Sequence, residues 1–442
     1  MKYYSTNKQS PVVDFREATI SGQAPDKGLY FPESIPSVDQ ELIRNIEKYS
    51  NEEIAFRVIH PYVANSIADE KLMEIVTETI SFPIPLVPVN ESVYSLELFH
   101  GPTLAFKDVG ARFMSRCLGY FVKMGETLRH GQAGGSGQTV TVLVATSGDT
   151  GGAVANGFYN VEGVEVIILY PSGKVSPVQE KQLTTLGKNI RALEVLGSFD
   201  DCQQMVKNAF SDKEVNKNRF LTSANSINVA RWLPQQFYYF FAYKQWPDRN
   251  NPPVISVPSG NFGNICAGLL AKRSGLPVEH FIAACNVNDV VPEFMKTERF
   301  EPKQAIPTLS NAMDVGNPSN FVRILEIFAH SFTTLEQNLT AVSITDKETT
   351  DTISDAFKQY NYILDPHGAV GYLALKRYMG AHPGSKGIFL ETAHPVKFPD
   401  AVEKHTGTRP DIPASVYNIM NNKKVTVKMK PDYKALKDYL MS

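Results

Sequence analysis

From about residue 139 onward the chain alternates short β-branched runs with helical segments, and no other feature restricts its fold as strongly. The runs "TVTVLVAT" (139–146), "EVIILYP" (165–171) and "IRALEVLG" (190–197) are separated by "GGAVANGFYN" and "SPVQEKQLTTLG", and "FDDCQQMVKNAF" follows. Strand, helix and strand in that rhythm make βαβ units, whose strands are parallel and covered on both faces. The rhythm resumes with "PVISVPSG" (253–260), "NFGNICAGLLAKRSG", "FIAACN", "AVSIT", "DKETTDTISDAFKQY" and "GIFLETA" (387–393). The fold class is therefore α/β: two α/β lobes with mainly parallel sheets, a smaller one over about 139–246 and a larger one from 93–138 plus 247–442. Residues 1–92 mix extended stretches such as "GLYFP" with helical patterns such as "DEKLMEIVTETI". They predict an N-terminal α+β domain, closed by the proline-studded linker "FPIPLVPVN" (82–90).

Partners are narrowed by charge. With 44 basic and 46 acidic residues interleaved to a net charge of −2, no one-sided basic field exists for nucleic acid or an anionic membrane. Small molecules become the expected partners. Every long apolar stretch is broken by charge or proline before about 18 residues, so no transmembrane span is predicted. The start "MKYYSTNKQSPVVDF" has neither a secretory nor a transit pattern, and a cytoplasmic protein is expected. Cys117, Cys202, Cys266 and Cys285 lie far apart with no C-x-x-C pair, which predicts buried, reduced thiols and no metal site. Monomer and homodimer both remain open. The aromatics Phe237, Tyr238, Phe240 and Phe241 recur at helical spacing and read as core.

Three short segments can carry chemistry. In "VISVPSGNFGNICAGLLAKRSG" a buried strand leads through Gly260, Asn261, Phe262, Gly263 and Asn264 into an apolar helix. Glycines permit close backbone approach and the first helical amides have no internal partner, so the turn can cup a phosphate. It serves equally as a plain strand-to-helix turn. It is neither a Walker loop nor a dinucleotide fingerprint, so a monophosphate is the expected ligand. In "ATSGDTGGAVA" the residues Thr146, Ser147, Asp149 and Thr150 offer hydroxyls and a carboxylate beside another helix start, to hold an anion or, through Ser147 or Asp149, to cap the helix. The third segment, "HGPTLAFKDVGARF", puts Lys107 in the first turn of an amphipathic helix that should begin near Thr103 to Phe106. The positive end of the helix dipole and partial burial both disfavour the charged amine there, which suits Schiff-base chemistry. A lysine snorkelling from the helix is the competing reading. The Gly-rich stretch "RHGQAGGSGQ" (129–138) suits a surface loop.

A reactive lysine, a hydroxyl-rich turn and a phosphate cup on one α/β scaffold together suggest pyridoxal 5'-phosphate. "LELFHGPTLAFKD" (96–108), "ATSGDTG" (145–151), "SANSIN" (223–228), "SVPSGNFGN" (256–264), "NVNDVVP" (286–292), "LSNAMDV" (309–315) and "TAHPVKF" (392–398) resemble the threonine synthase family, in the longer form found in bacteria and fungi. The resemblance runs over most of the chain, from "GLYFP" to "TAHPVKF", while the loop at 129–138 is longer and richer in glycine than the family pattern. It implies a pyridoxal-phosphate enzyme of fold type II, similar to the tryptophan synthase β subunit, that turns O-phospho-L-homoserine and water into L-threonine and phosphate. It also implies that Lys107 bonds the cofactor, that Gly260, Asn261, Phe262, Gly263 and Asn264 hold its phosphate, and that Thr392 faces its pyridine nitrogen. Thr146, Ser147, Asp149 and Thr150 would hold the substrate carboxylate. Lys174, Lys181 and Arg231 are candidates for the substrate phosphate by charge and nearby motif only. A serine or threonine dehydratase of the same fold would share the lysine and the cup but lack the long first domain. A non-catalytic α/β protein that binds a phosphorylated effector would share the cup alone.

Overall fold

The computed structural model describes residues 1–125 and 139–442, so the whole of the Gly-rich stretch 129–138 lies outside the described residues. Two sheets form the frame. The larger has six strands in the order Leu339–Ser343, His280–Cys285, Val254–Pro258, Gly387–Glu391, Val93–Glu97 and Leu86–Pro88. All of its neighbours are parallel except the last pair. The smaller sheet is all parallel, in the order Val427–Met429, Ile190–Val195, Val164–Pro171, Val140–Ala145 and Phe220–Thr222. Near the N-terminus a three-stranded antiparallel sheet of Lys2–Ser5, Val13–Asp14 and Tyr30–Pro32 is joined by helices such as Asn51–Val63 and Asp69–Thr79.

The strand sequences explain the layering. Every residue of Val140–Ala145 is buried, and alternate side chains serve different cores. Val140, Val142 and Val144 join the main core with the N-terminal helices, whereas Leu143 and Ala145 join a second core with Cys202, Met205, Leu436 and Leu440. Helix starts follow local chemistry. Ser176 with Gln179, and Ser198 with Asp201, form reciprocal capping boxes that fix the helices Pro177–Thr184 and Phe199–Ser211. All four cysteines are buried and free. Among the described residues no helix is long and apolar enough to cross a membrane.

Two expectations need correction. The proline-studded 82–90 segment contains a strand, Leu86–Pro88, which pairs antiparallel with Tyr94–Leu96. Prolines are tolerated there because it is an edge, with one side free of ladder bonds. Nor do residues 247–442 all belong to the larger lobe. Strand Val427–Met429 pairs with Leu193–Val195, and helix Tyr433–Met441 buries Leu436 and Leu440 against the smaller sheet. The chain thus returns to a sheet that it left some 200 residues earlier.

Candidate active site

Lys107 is the first residue of helix Lys107–Lys123, slightly later than its pattern predicts. The turn before it is pinned from several sides. The Thr103 amide and hydroxyl donate to the Asp108 carboxylate, Gln182 Nε2 donates to the Thr103 carbonyl, and the Phe106 amide donates to the Thr392 carbonyl at 3.0 Å. No side chain caps the helix, so its dipole acts on the amine directly. The Lys107 side chain is only 16% exposed, and Nζ stands 3.9 Å from Asp149 Oδ2. Burial lowers its pKa, Asp149 opposes this, and Lys397 and Arg231 add to the lowering.

Asp149 begins helix Asp149–Phe158, after the strand Val140–Ala145. Neither Ser147 nor Asp149 caps it. Thr146 Oγ1 accepts from the amides of Gly148 and Gly151 instead. Gly148 has φ +136°, and a Cβ there would lie 2.5 Å from the Gln179 side chain, so glycine is required. The Asp149 carboxylate is buried; its Oδ1 receives Lys397 Nζ at 2.7 Å and Gln179 Nε2 at 2.9 Å. Lys397 and Lys107 hold it well below the usual carboxylate range despite burial. Ser147 and Thr150 are half-buried at the rim.

The 260–264 turn follows strand Val254–Pro258, which neighbours strand Gly387–Glu391 in parallel. Both strands therefore deliver their following residues, the turn and Thr392, to the carboxyl end of the sheet. Phe262 is left-handed at φ 61° and no side chain caps helix Gly263–Arg273. Among the described residues no acceptor meets the amides of Gly260 to Asn264. Asn261 is fixed by Ser226 Oγ and the Ser319 amide, and Asn320 Nδ2 reaches both Ser226 Oγ and the Asn261 carbonyl. Asn264 Oδ1 accepts from Tyr238 and Tyr239, while its Nδ2 is buried without a partner among the described residues. The aromatic helix Phe237–Gln245 is core, as its spacing predicts, and two of its rings also anchor this turn. Gly260 has a second reason to be glycine: a Cβ would lie 2.6 Å from Met313 Cα.

Thr392 is buried, and its hydroxyl has no partner among the described residues. Of the three cations proposed for the substrate phosphate, Arg231 lies beside Lys107 and Asp108. It is buried, with Nε and Nη1 unpartnered among the described residues. Lys174 is exposed and Lys181 donates to the Asn422 carbonyl; neither joins the cluster. Sequence reasoning gave no role to Lys397, Gln179 or Asp108. Lys397 had one usable signal, a lysine inside the apolar "HPVKF" only five residues beyond Thr392. A surface cavity of about 1140 Å³, lined by Arg116, Tyr120 and Lys188 among others, sits towards the other end of helix Lys107–Lys123 and contains none of the predicted residues.

Comparison with known proteins identifies the family of the chain. Residues 78–390 match the family model "Pyridoxal-phosphate dependent enzyme", residues 2–80 "Threonine synthase N terminus" and residues 368–440 "Threonine synthase, C-terminal". The chain is 41% identical to a threonine synthase of Haemophilus influenzae, with all of both chains covered. The crystal structure of threonine synthase from Escherichia coli superposes with a TM-score of 0.90 at 41% identity, covering 100% of this chain and 99% of that one. The pyridoxal-phosphate-bound threonine synthase from Brucella melitensis gives a TM-score of 0.91 at 35% identity, covering 100% and 98%.

Proposed function

Because the chain belongs to the threonine synthase family of pyridoxal-phosphate-dependent enzymes, we propose that it converts O-phospho-L-homoserine and water into L-threonine and phosphate, with Lys107 as the residue that bonds the cofactor. The match over residues 2–80 to a threonine synthase N-terminal model favours this over a dehydratase.

The residues present fit the cofactor. The free amides of Gly260 to Asn264 at an uncapped helix start suit its phosphate, and Gly263 brings that backbone close. The unpartnered Thr392 hydroxyl suits its ring nitrogen. A largely buried, dipole-opposed Lys107 amine suits its aldehyde. When bound, the cofactor supplies a carbonyl carbon that bonds amines and a ring that draws electrons away from the substrate carbons.

The chain's own residues do the rest. Lys107 Nζ takes the proton from the substrate α-carbon and returns it at the end. The turn Thr146–Thr150 receives the substrate carboxylate on the amides of Asp149 and Thr150 and the hydroxyls of Ser147 and Thr150. Asp149 is neutralised by Lys397 and so does not repel that anion. Arg231 is the buried cation available to the leaving phosphate. In the net change the γ-carbon exchanges its C–O bond to phosphate for a C–H bond, and the β-carbon exchanges one C–H bond for a bond to the oxygen of water, whose remaining proton balances the released phosphate. The N-terminal part of the chain, before strand Leu86–Pro88, buttresses the site: Arg323 donates to the Tyr30, Ser226 and Ile227 carbonyls, which ties that part to the cup. The four reduced, buried thiols favour a cytoplasmic setting.

The observation that carries this reading is the meeting of Lys107, Thr392 and the 260–264 turn at the carboxyl end of the larger sheet. Borohydride treatment of the purified enzyme should bleach its visible absorbance and leave the cofactor mass on the Lys107 peptide. Product analysis with O-phospho-L-homoserine should then give threonine and phosphate in equal amounts. Fixation at another lysine would overturn the assignment.

A further inference from the structure

Lys397 has no direct part in the reaction set out above, yet its side chain is completely buried. An ammonium group is not buried without an anion to offset the cost. Here that anion is Asp149, which stands between two lysines: Oδ1 receives Lys397 at 2.7 Å, and Oδ2 faces Lys107 at 3.9 Å. The charged groups around the Lys107 amine come from four elements. They are Asp149 from helix Asp149–Phe158, Lys397 from the turn Pro395–Lys397, Arg231 from helix Val229–Trp232 and Asp108 from its own helix. Lys397 and Asp149 cancel. Arg231 remains a cation, its pKa lowered only to about 10 by burial, and the neighbouring Asp108 carboxyl opposes it in turn. A proton on Lys107 then adds net positive charge to a largely buried site.

We propose that Lys397 is a positioning residue for the Lys107 amine: by holding one oxygen of Asp149 it keeps that carboxylate from closing on Lys107, and it thereby maintains Lys107 in the unprotonated form that attacks a carbonyl. Its purpose rests on Lys107 being the cofactor lysine, but the charge arrangement rests on the geometry alone. Without Lys397, Asp149 is free to pair with Lys107, and a like charge is lost from the site. Both changes favour the protonated amine. The Lys397–Asp149 pair also joins the end of the larger sheet to the end of the smaller one, across 248 residues.

The test uses the 442-residue protein stripped of cofactor. Lys107 is labelled with acetic anhydride over a pH series, and its acetylation is quantified by peptide mass spectrometry. Lys397→Met should raise the labelling midpoint by about one pH unit or more, while Lys397→Arg should stay with the parent. Lys397→Gln, whose amide can still donate to Asp149 but carries no charge, should show a smaller rise in the same direction and serves if the Met variant does not fold. An unmoved or lowered midpoint in either neutral variant overturns the proposal. So does failure of both to fold while Lys397→Arg folds, since Lys397 would then be structural. Borohydride fixation at Lys107 is read separately, so the cofactor assignment and this proposal can fail independently.

Discussion

Asp149 and Glu391 are both buried carboxyls near the site, and they titrate in opposite directions because of what each faces. Asp149 receives the Lys397 ammonium at 2.7 Å with the Lys107 amine 3.9 Å away and is held low, so its stabilising contribution is present above the ordinary carboxylate range and is lost progressively as the pH falls below it. Glu391 precedes Thr392, and both of its oxygens lack hydrogen-bond partners among the described residues. Burial, and then the neighbouring Asp365, pushes its pKa well above the usual value. A raised carboxyl binds its proton more tightly folded than unfolded, so its contribution is complete below about pH 4.5 and falls as pH rises. Glu391→Gln should therefore be about 1–3 kcal/mol more stable than the parent at pH 8, with the gain vanishing near pH 4. Urea midpoints across that range check it, and an equal gain at both ends would show that charge is not the cause. Thr392 tests the ring-facing position. Thr392→Ser keeps the hydroxyl and should keep the parent's product. Thr392→Asp supplies a carboxylate that would hold a proton on a facing ring nitrogen, and it should divert turnover from threonine towards 2-oxobutanoate. An unchanged product ratio would remove Thr392 from that position.

Among the elements, the two glycines of the cup separate packing from ligand approach. Gly260→Val would drive its side chain into the Met313 backbone and should lower stability outright. Gly263 has more room, with its nearest neighbour Ser226 Cβ at 3.3 Å from an added Cβ. Gly263→Ala should therefore melt within a few degrees of the parent yet bind the cofactor several-fold more weakly, as measured by absorbance titration. Equal affinity would mean that the turn does not approach an anion. The cup was readable in the sequence because strand, glycine turn and apolar helix are contiguous, and periodicity is a local signal. The second constraint on Gly260 was not, because Met313 lies more than 50 residues away. The edge strand Leu86–Pro88 escaped for a different reason. Its prolines signal a break in the chain, and only its pairing with Tyr94–Leu96 makes it a strand.

At the scale of the molecule, the α/β alternation announced the two sheets, but the return of the chain to the smaller one carried no pattern of its own. Strand Val427–Met429 is short and two of its three residues are exposed, so nothing marks it as part of a buried sheet. Lys397 was hidden in the same way, since its partner Asp149 is 248 residues distant. Removing residues 422–442 should strip this strand and helix Tyr433–Met441, and uncover Leu193, Val195, Cys202 and Met205. Loss of buried Leu436, Leu440 and Met429 alone should cost about 5 kcal/mol. Hydrogen exchange should show Ile190–Val195 deprotected before the larger sheet, and undiminished protection there would mean that the return segment is dispensable. The long-range pairing also imposes an order of events on the ribosome. Lys107 is translated early, but Thr392, whose carbonyl holds the preceding Phe106 amide, and Lys397 emerge nearly 300 residues later. A growing chain therefore carries its reactive amine for most of its synthesis with no site around it and with open strand edges beside it. Capture of an aldehyde during that interval would be unselective, and selectivity begins only when the late-made residues dock.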